Sequence, residues 1–223
     1  MNQTKELFAD KHLDCVQHGW GITAIIGADY KTGRWNFGAR YEFPTKFTIE
    51  NDTKVDNTGP YADGVNTHND LPALLAFGAQ YGIIKNLRAM VSYHYYFDKD
   101  ARMDHDKQKT LSSNSQEYLA GMEWDVTKHL TVSAGGQRTK YGLGNGDYLS
   151  DMSFVTSSYS VGFGAKHKIA KNMSLNVAYF WTDYEHFHKS YDQTITAAGK
   201  SVDVHNTDVF TRSNKVLGVG LDI

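Results

Sequence analysis

The chain has 223 residues, rich in glycine (20) and tyrosine (14), with three prolines and a single cysteine. A formal charge of −2, with 23 basic and 25 acidic residues interspersed, leaves no basic surface of the kind nucleic acid requires. Cys15 has no partner for an internal disulfide, and no apolar run reaches the roughly 18 residues that a transmembrane helix needs.

The first residues, Met1-Asn2-Gln3-Thr4-Lys5-Glu6, lack the apolar segment of a secretory signal. Residues 1–18 read as the remnant of an external loop, or as disordered chain. About nine strands follow, over residues 19–30, 34–50, 71–83, 87–98, 115–126, 130–141, 155–168, 173–186 and 213–223. Several alternate with the two-residue period of a strand. Trp35, Phe37, Ala39, Tyr41 and Phe43 oppose Arg34, Asn36, Gly38, Arg40 and Glu42. Leu87, Ala89, Val91, Tyr93, Tyr95 and Phe97 oppose Arg88, Ser92, His94, Tyr96 and Asp98, with Met90 out of phase. Tyr118, Ala120, Met122 and Trp124 oppose Glu117, Leu119, Gly121 and Glu123.

A repeated unit joins these strands: a glycine, two residues and a ring, then a tight turn. It occurs at Gly27–Tyr30, Gly78–Tyr81, Gly121–Trp124 and Gly164–His167. Glycine or asparagine in three of the four turns can take the positive φ of a hairpin. Between them lie long polar connections at 51–70, 99–114, 142–154 and 187–212. Short turns on one side and long loops on the other are the plan of an outer-membrane barrel, with the long loops outside the cell. Mid-strand charges suit a wet lumen. Rings near strand ends suit the interfacial girdles: Trp20, Tyr30, Trp35, Phe43, Tyr81, Tyr95, Phe97, Trp124, Tyr141, Tyr159, Trp181 and Tyr184. A soluble antiparallel sheet, wet on one face, would alternate equally well.

The expected fold is therefore all-β: an antiparallel up-and-down transmembrane β-barrel, with residues 1–223 as a single partial barrel domain. On this plan the first strand starts on the outer side, and nine is an odd count. Both imply an odd number of further strands before it.

The residues that face away from the apolar stripe are Arg40, Glu42, Arg88, His94, Glu117, Glu123, Gln137 and Lys166. They are the candidate lumen or ligand-facing positions. They can pair across strands to stiffen the wall, and Arg40, Arg88 or Lys166 can hold a solute carboxylate. His186 and His188 share one face in a His-x-His spacing, but zinc needs three or four ligands and no second cluster stands near them. Asp98–Asp106 is rich in carboxylates, yet lacks the glycine and closing glutamate of an EF-hand. Ser113, His105 and Asp104 have no spacing that supports a catalytic triad. No metal, cofactor or enzymatic activity is expected.

The segment Asp70-Leu71-Pro72-Ala73-Leu74-Leu75-Ala76-Phe77-Gly78-Ala79-Gln80-Tyr81 resembles the strand entry of the FadL/OmpP1/TodX outer-membrane transport proteins. Leu87–Tyr93, Phe163–Ala165, Leu175–Tyr179 and Leu217–Leu221 are similar in texture, though the last lacks a terminal phenylalanine. The resemblance implies a fourteen-strand barrel, of which this chain holds the C-terminal nine, without the family's N-terminal hatch or its kinked early strand. It also implies passive outer-membrane transport of hydrophobic compounds such as long-chain fatty acids or aromatic hydrocarbons. The implied partners are hydrophobic small molecules, outer-membrane lipid and lipopolysaccharide, with the protein a monomer in the cell outer membrane. A nonspecific porin-like or structural barrel, and a hemin-binding receptor, are the alternatives.

Overall fold

The computed structural model describes residues 12–149, 154–197 and 200–222. The expected stretches at 1–11, 150–153 and 198–199, and Ile223, lie outside the described residues. The strands are β1 (Leu13–His18), β2 (Ile25–Thr32), β3 (Trp35–Glu42), β4 (Thr48–Asp56), β5 (Asn66–His68), β6 (Leu74–Ile84) and β7 (Leu87–Tyr96). They continue with β8 (Ser113–Asp125), β9 (Leu130–Gly142), β10 (Ser158–Ala170), β11 (Met173–Tyr184), β12 (Phe187–Ala197), β13 (Lys200–Phe210) and β14 (Ser213–Asp222).

Nine of them form one antiparallel sheet in the order β14-β11-β10-β9-β8-β7-β6-β3-β2. These are the nine strands expected from alternation. The sheet keeps two edges, β2 and β14, and is not closed into a barrel. Of the other five strands, β1 lies in the stretch 1–18 expected as loop remnant or disordered chain, and four lie wholly or mainly in the long connections. β1, β4 and β5 form a three-stranded sheet, and β12 pairs with β13 as a hairpin. Two of the four expected loops thus contain regular strands. A third, after β7, carries 3-10 turns at Asp98–Asp100 and Asp104–Thr110, with His105 and Asp106 at φ 53° and 56°.

The expected strand at 34–50 is two strands in different sheets. β3 ends at Glu42, just before Pro44, which has no N–H to give to a ladder. The chain then makes an isolated bridge, Thr45 to Leu71, and enters β4. The expected first strand also shortens, since residues 19–24 lie outside any strand.

The turns close by different means. Gly33 at φ 56° occupies the first central position between Thr32 and Trp35. No other residue at the four tight turns takes positive φ. Asn86 instead donates its side-chain amide to the Asp125 carbonyl at 3.1 Å. Thr127 Oγ1 accepts the N–H groups of His129 and Leu130 at 3.1 and 3.0 Å.

The burial of the sheet is the reverse of a water-soluble one. The apolar face is exposed: Met122, Trp124, Phe163, Leu217 and Val219 range from 47% to 70% exposure. The polar face is the sheltered one, with Ser158, Ser160, Thr139 and Thr182 at 5%. Met90 on β7 and Phe180 on β11 line one cavity although three strands separate them. Four strand spacings would hold them about 19 Å apart on a flat sheet, so the sheet curls toward the polar face. That face is called inner below. A packed apolar cluster lies at the loop end, where Leu111, Leu143, Leu149 and Phe210 are buried with Tyr141, Phe154 and Phe187 against them. Tyr141 and Tyr184 were expected in the outer girdle. Tyr141 packs on this cluster, and Tyr184 stands opposite the sheltered Ser158 on the inner face.

Candidate functional site: the inner face of the sheet

Strand register sets the inner face in successive rungs. Across one rung near the loops run Arg40, Ala76, His94, Glu117, Thr139 and Ser158. Glu117 is its hub, with a side chain only 15% exposed. It accepts from Tyr96 Oη at 3.0 Å, Gln137 Nε2 at 2.7 Å and Thr139 Oγ1 at 3.2 Å, and contacts His94 Nδ1 at 3.0 Å. Burying a carboxylate among so many donors satisfies its lone pairs without a metal.

The opposite end holds a second charged rung. Arg88 pairs with Glu123, and with Asp125 at 2.8 Å, while Thr131 Oγ1 donates to Asp125 at 2.7 Å. Lys166 pairs with Asp222 at 2.7 Å. Arg88, Glu123, Asp125, Thr131, Lys166 and Lys168 surround a hollow of about 480 Å³ near the short turns.

Between the two charged rungs lies an apolar belt. Register places Phe180, Gly162, Gly135, Gly121 and Met90 in one line across five strands. Leu119 stands in the next line, beside Gln137. Together they enclose a hollow of about 300 Å³. The three glycines expose bare backbone as its floor. A Cβ on Gly162 would meet the Phe180 ring at 3.3 Å, and one on Gly135 would meet the Ala120 carbonyl at 3.0 Å. The belt can therefore hold an apolar body between Met90, Leu119 and Phe180, with the polar rungs on either side in contact with water.

All eight residues expected on the inner face have side chains on it. His94, Glu117 and Gln137 come together in the loop-end rung, and Arg88 and Glu123 in the turn-end rung. Arg40 pairs with its own neighbour Glu42 at 3.0 Å. The apolar belt was not among the expected sites. Its signal was already visible: Met90, Leu119 and Phe180 are large apolar residues on the polar side of their strands.

The loop carboxylates have partners within the chain. Asp98 accepts the Ser115 N–H at 2.7 Å, and Asp106 pairs with Lys109 at 2.6 Å. His105 contacts Asp104 at 2.8 Å. Among the described residues, no group of three His, Cys, Asp or Glu side chains is placed to hold a metal ion.

Solved structures share the fold of this sheet. A Pseudomonas aeruginosa FadL homologue superposes with a TM-score of 0.66 at 12% identity, covering 88% of this chain and 51% of its own. The nine-strand sheet shares the fold of about half of that structure. The P. putida toluene transporter TodX superposes with a TM-score of 0.54 at 14% identity, covering 92% of this chain and 49% of its own. A TodX monoaromatic hydrocarbon channel mutant gives 0.51 at 15% identity, over 77% and 45%. The chain thus spans about half the length of the solved structures it matches. No protein-family model and no curated protein sequence matches it.

Proposed function

We propose that the chain is a wall of an outer-membrane β-barrel that passes hydrophobic small molecules, and that the belt of Met90, Leu119 and Phe180 is where they rest. The observation that carries this reading is the inverted burial of the sheet. Large apolar side chains on the exposed face would be costly in water and are at home in hydrocarbon. Unpaired backbone in lipid costs several kcal/mol per group, so the reading requires the edges β2 and β14 to be paired in the membrane. The loops at 51–70, 99–114, 142–154 and 187–212 would then face outward from the cell.

An apolar belt between two polar rungs favours solutes such as fatty acids or aromatic hydrocarbons over sugars or ions. In the turn-end rung, Arg88 is one inward position from Met90 along β7 and Lys166 two from Gly162 along β10, and these are the cations that a solute carboxylate would meet. Passage needs no catalytic group and no cofactor. The test is uptake by cells that produce the full chain in their outer membrane. A labelled arene or long-chain fatty acid should enter faster than in control cells, while entry of a small sugar stays unchanged. An equal rise for the sugar would mark a water-filled porin and overturn the reading.

A further inference from the structure

The outer face of the nine-strand sheet is charged at one end only. By register, the outward positions of its described strands hold Arg138, Lys140, Asp183 and Lys215 as their charged residues. All four lie at the loop end. The turn-end half of the same face carries Leu87, Trp124, Leu130, Leu175 and Leu221, with no Lys, Arg, Asp or Glu. Cations thus outnumber carboxylates three to one on the outward side of the sheet, in a band next to the external loops.

We propose that this band is a binding site for the phosphate headgroup of an outer-leaflet lipid, with Arg138 and Lys140 at its centre. The proposal rests on the outer-membrane reading given above. Arg138 is fixed in place: its guanidinium lies 3.9 Å from the centre of the Tyr159 ring, and Nη2 pairs with Glu185 at 2.6 Å. Its Nη1 is buried and has no hydrogen-bond partner among the described residues, so the exposed Lys140 is the first cation that a headgroup meets. Lys140 is exposed, with its Nζ 6.0 Å from the centre of the Tyr118 ring and no ion pair among the described residues. Register sets Tyr118 and Tyr159 on either side of Arg138. Lys215 stands opposite Trp181, two strands beyond Tyr159.

The arrangement fits a lipid and not a free anion. Cations set between rings at the rim of an apolar wall match a headgroup, while Ala134, Val132, Val161 and Phe163 below them match its acyl chains. An inorganic phosphate would gain the charge contacts but nothing from that wall. Asp183 and Glu185 oppose any anion, and the ion pair of Glu185 with Arg138 leaves Lys140 and Lys215 without a carboxylate partner among the described residues.

The test uses the full chain reconstituted in vesicles that contain either phosphorylated lipid A or the same lipid with its phosphates removed. After extraction, native mass spectrometry counts lipid A molecules retained per chain. The phosphorylated form should be retained and the dephosphorylated form largely lost. Lys140→Gln and the double variant R138Q/K140Q should lower retention, by about tenfold for the pair, as one or two charge-assisted contacts are worth. Lys140→Gln alone disturbs no ion pair, so it stays informative if the double variant misfolds. Lys128→Gln, at the turn end, should change nothing. Equal retention of both lipids, or displacement by millimolar inorganic phosphate, would overturn the proposal while leaving the membrane reading intact. Failure of the wild-type chain to float with the vesicles would overturn both.

Discussion

Arg102 donates its Nε hydrogen to the carboxylate of Asp70 at 2.8 Å, tying the connection after β7 to the one before β6. The same carboxylate accepts the Phe47 N–H at 2.9 Å, so three separate stretches meet at one side chain. Burial alone would raise the Asp70 carboxyl, but Arg102 and the Phe47 N–H outweigh it and hold it below the ordinary aspartate value of 3.8. A depressed folded value means that the contribution is complete above the unfolded value and is lost as pH falls through the folded one. Amide exchange around Phe47 and Arg102, corrected for its intrinsic pH dependence, should therefore rise a few-fold below about pH 4. Arg102→Gln should raise it already at neutral pH. A flat profile in the wild type would remove Asp70 as the tie.

Asp56 organises the three-stranded sheet in the same manner, by accepting from Thr58 Oγ1 at 2.6 Å and from the N–H groups of Thr58, Gly59 and Tyr61. The Thr58 hydroxyl is the largest cause, and burial opposes it only in part, so the carboxyl falls from 3.8 to about 2. Its contribution is complete above 3.8 and fades as pH drops toward about 2. Asp56→Asn should leave the turn at Thr58–Tyr61 loose at every pH. Proton exchange at Gly59 and Tyr61 reads this directly, and unchanged protection in the variant would refute it.

Glu117 gathers Tyr96, Gln137, Thr139 and His94 across β7, β8 and β9. Replacing it with alanine leaves several donors without an acceptor on a sheltered face. The expected loss is about 1–3 kcal/mol, the cost of stranding buried polar groups. Glu117→Gln keeps an acceptor oxygen and should lose less. The readout is the temperature at which the folded, fast-migrating band disappears on unboiled gels. Equal temperatures for Glu117→Ala and wild type would show that the rung adds nothing to the wall.

Gly33 alone among the tight-turn residues needs a backbone conformation that side chains resist. A Cβ there would meet no atom within 4 Å, so the cost of Gly33→Ala is conformational, about 1 kcal/mol. Gly33→Asn should recover part of that, because asparagine tolerates the left-handed region better. Asn86→Ala should cost a similar amount for a different reason, the loss of its bond to the Asp125 carbonyl. Thermal unfolding of the three variants separates the two causes.

The nine sheet strands were legible because a period of two over ten or so residues is a strong pattern, and all nine alternate or are bounded by turns. The strands of the long connections were not. Beyond residue 50, where the expected strand at 34–50 stops, β4 reads Asn51-Asp52-Thr53-Lys54, and β13 reads Asp203-Val204-His205-Asn206, each with polar residues on both faces. Only the end of β13, at Phe210, reaches an apolar cluster, so little in composition marks these strands apart from loop. Turn chemistry was half legible: glycine and asparagine marked the turns, but Asn86 serves by its side chain and not by its φ. Alternation finds the charged inner residues and also marks Met90, Leu119 and Phe180 as apolar exceptions among them, but it does not show the hollow between those three. The hollow depends on glycines from three strands falling in one line, and register between strands is absent from any single stretch of sequence.

That line of glycines makes the sharpest prediction about passage. The belt has room because Gly162, Gly135 and Gly121 add no side chain to a hollow of about 300 Å³. Gly162→Leu would fill it from below. The neighbour that must give way is the Phe180 ring and not the backbone, since the ring lies 3.3 Å from the new Cβ. The variant should fold and stop binding apolar solute. Leu119→Ala and Phe180→Ala act in the opposite sense on volume, yet each removes an apolar contact worth about 1.5–3 kcal/mol when fully buried. Binding of a fluorescent fatty acid or arene should fall by tenfold or more in each. The pattern is the test: loss both on filling and on emptying the belt marks a fitted site. Tighter binding or faster uptake on emptying would mean that the belt is only a constriction, and that solutes rest elsewhere on the inner face.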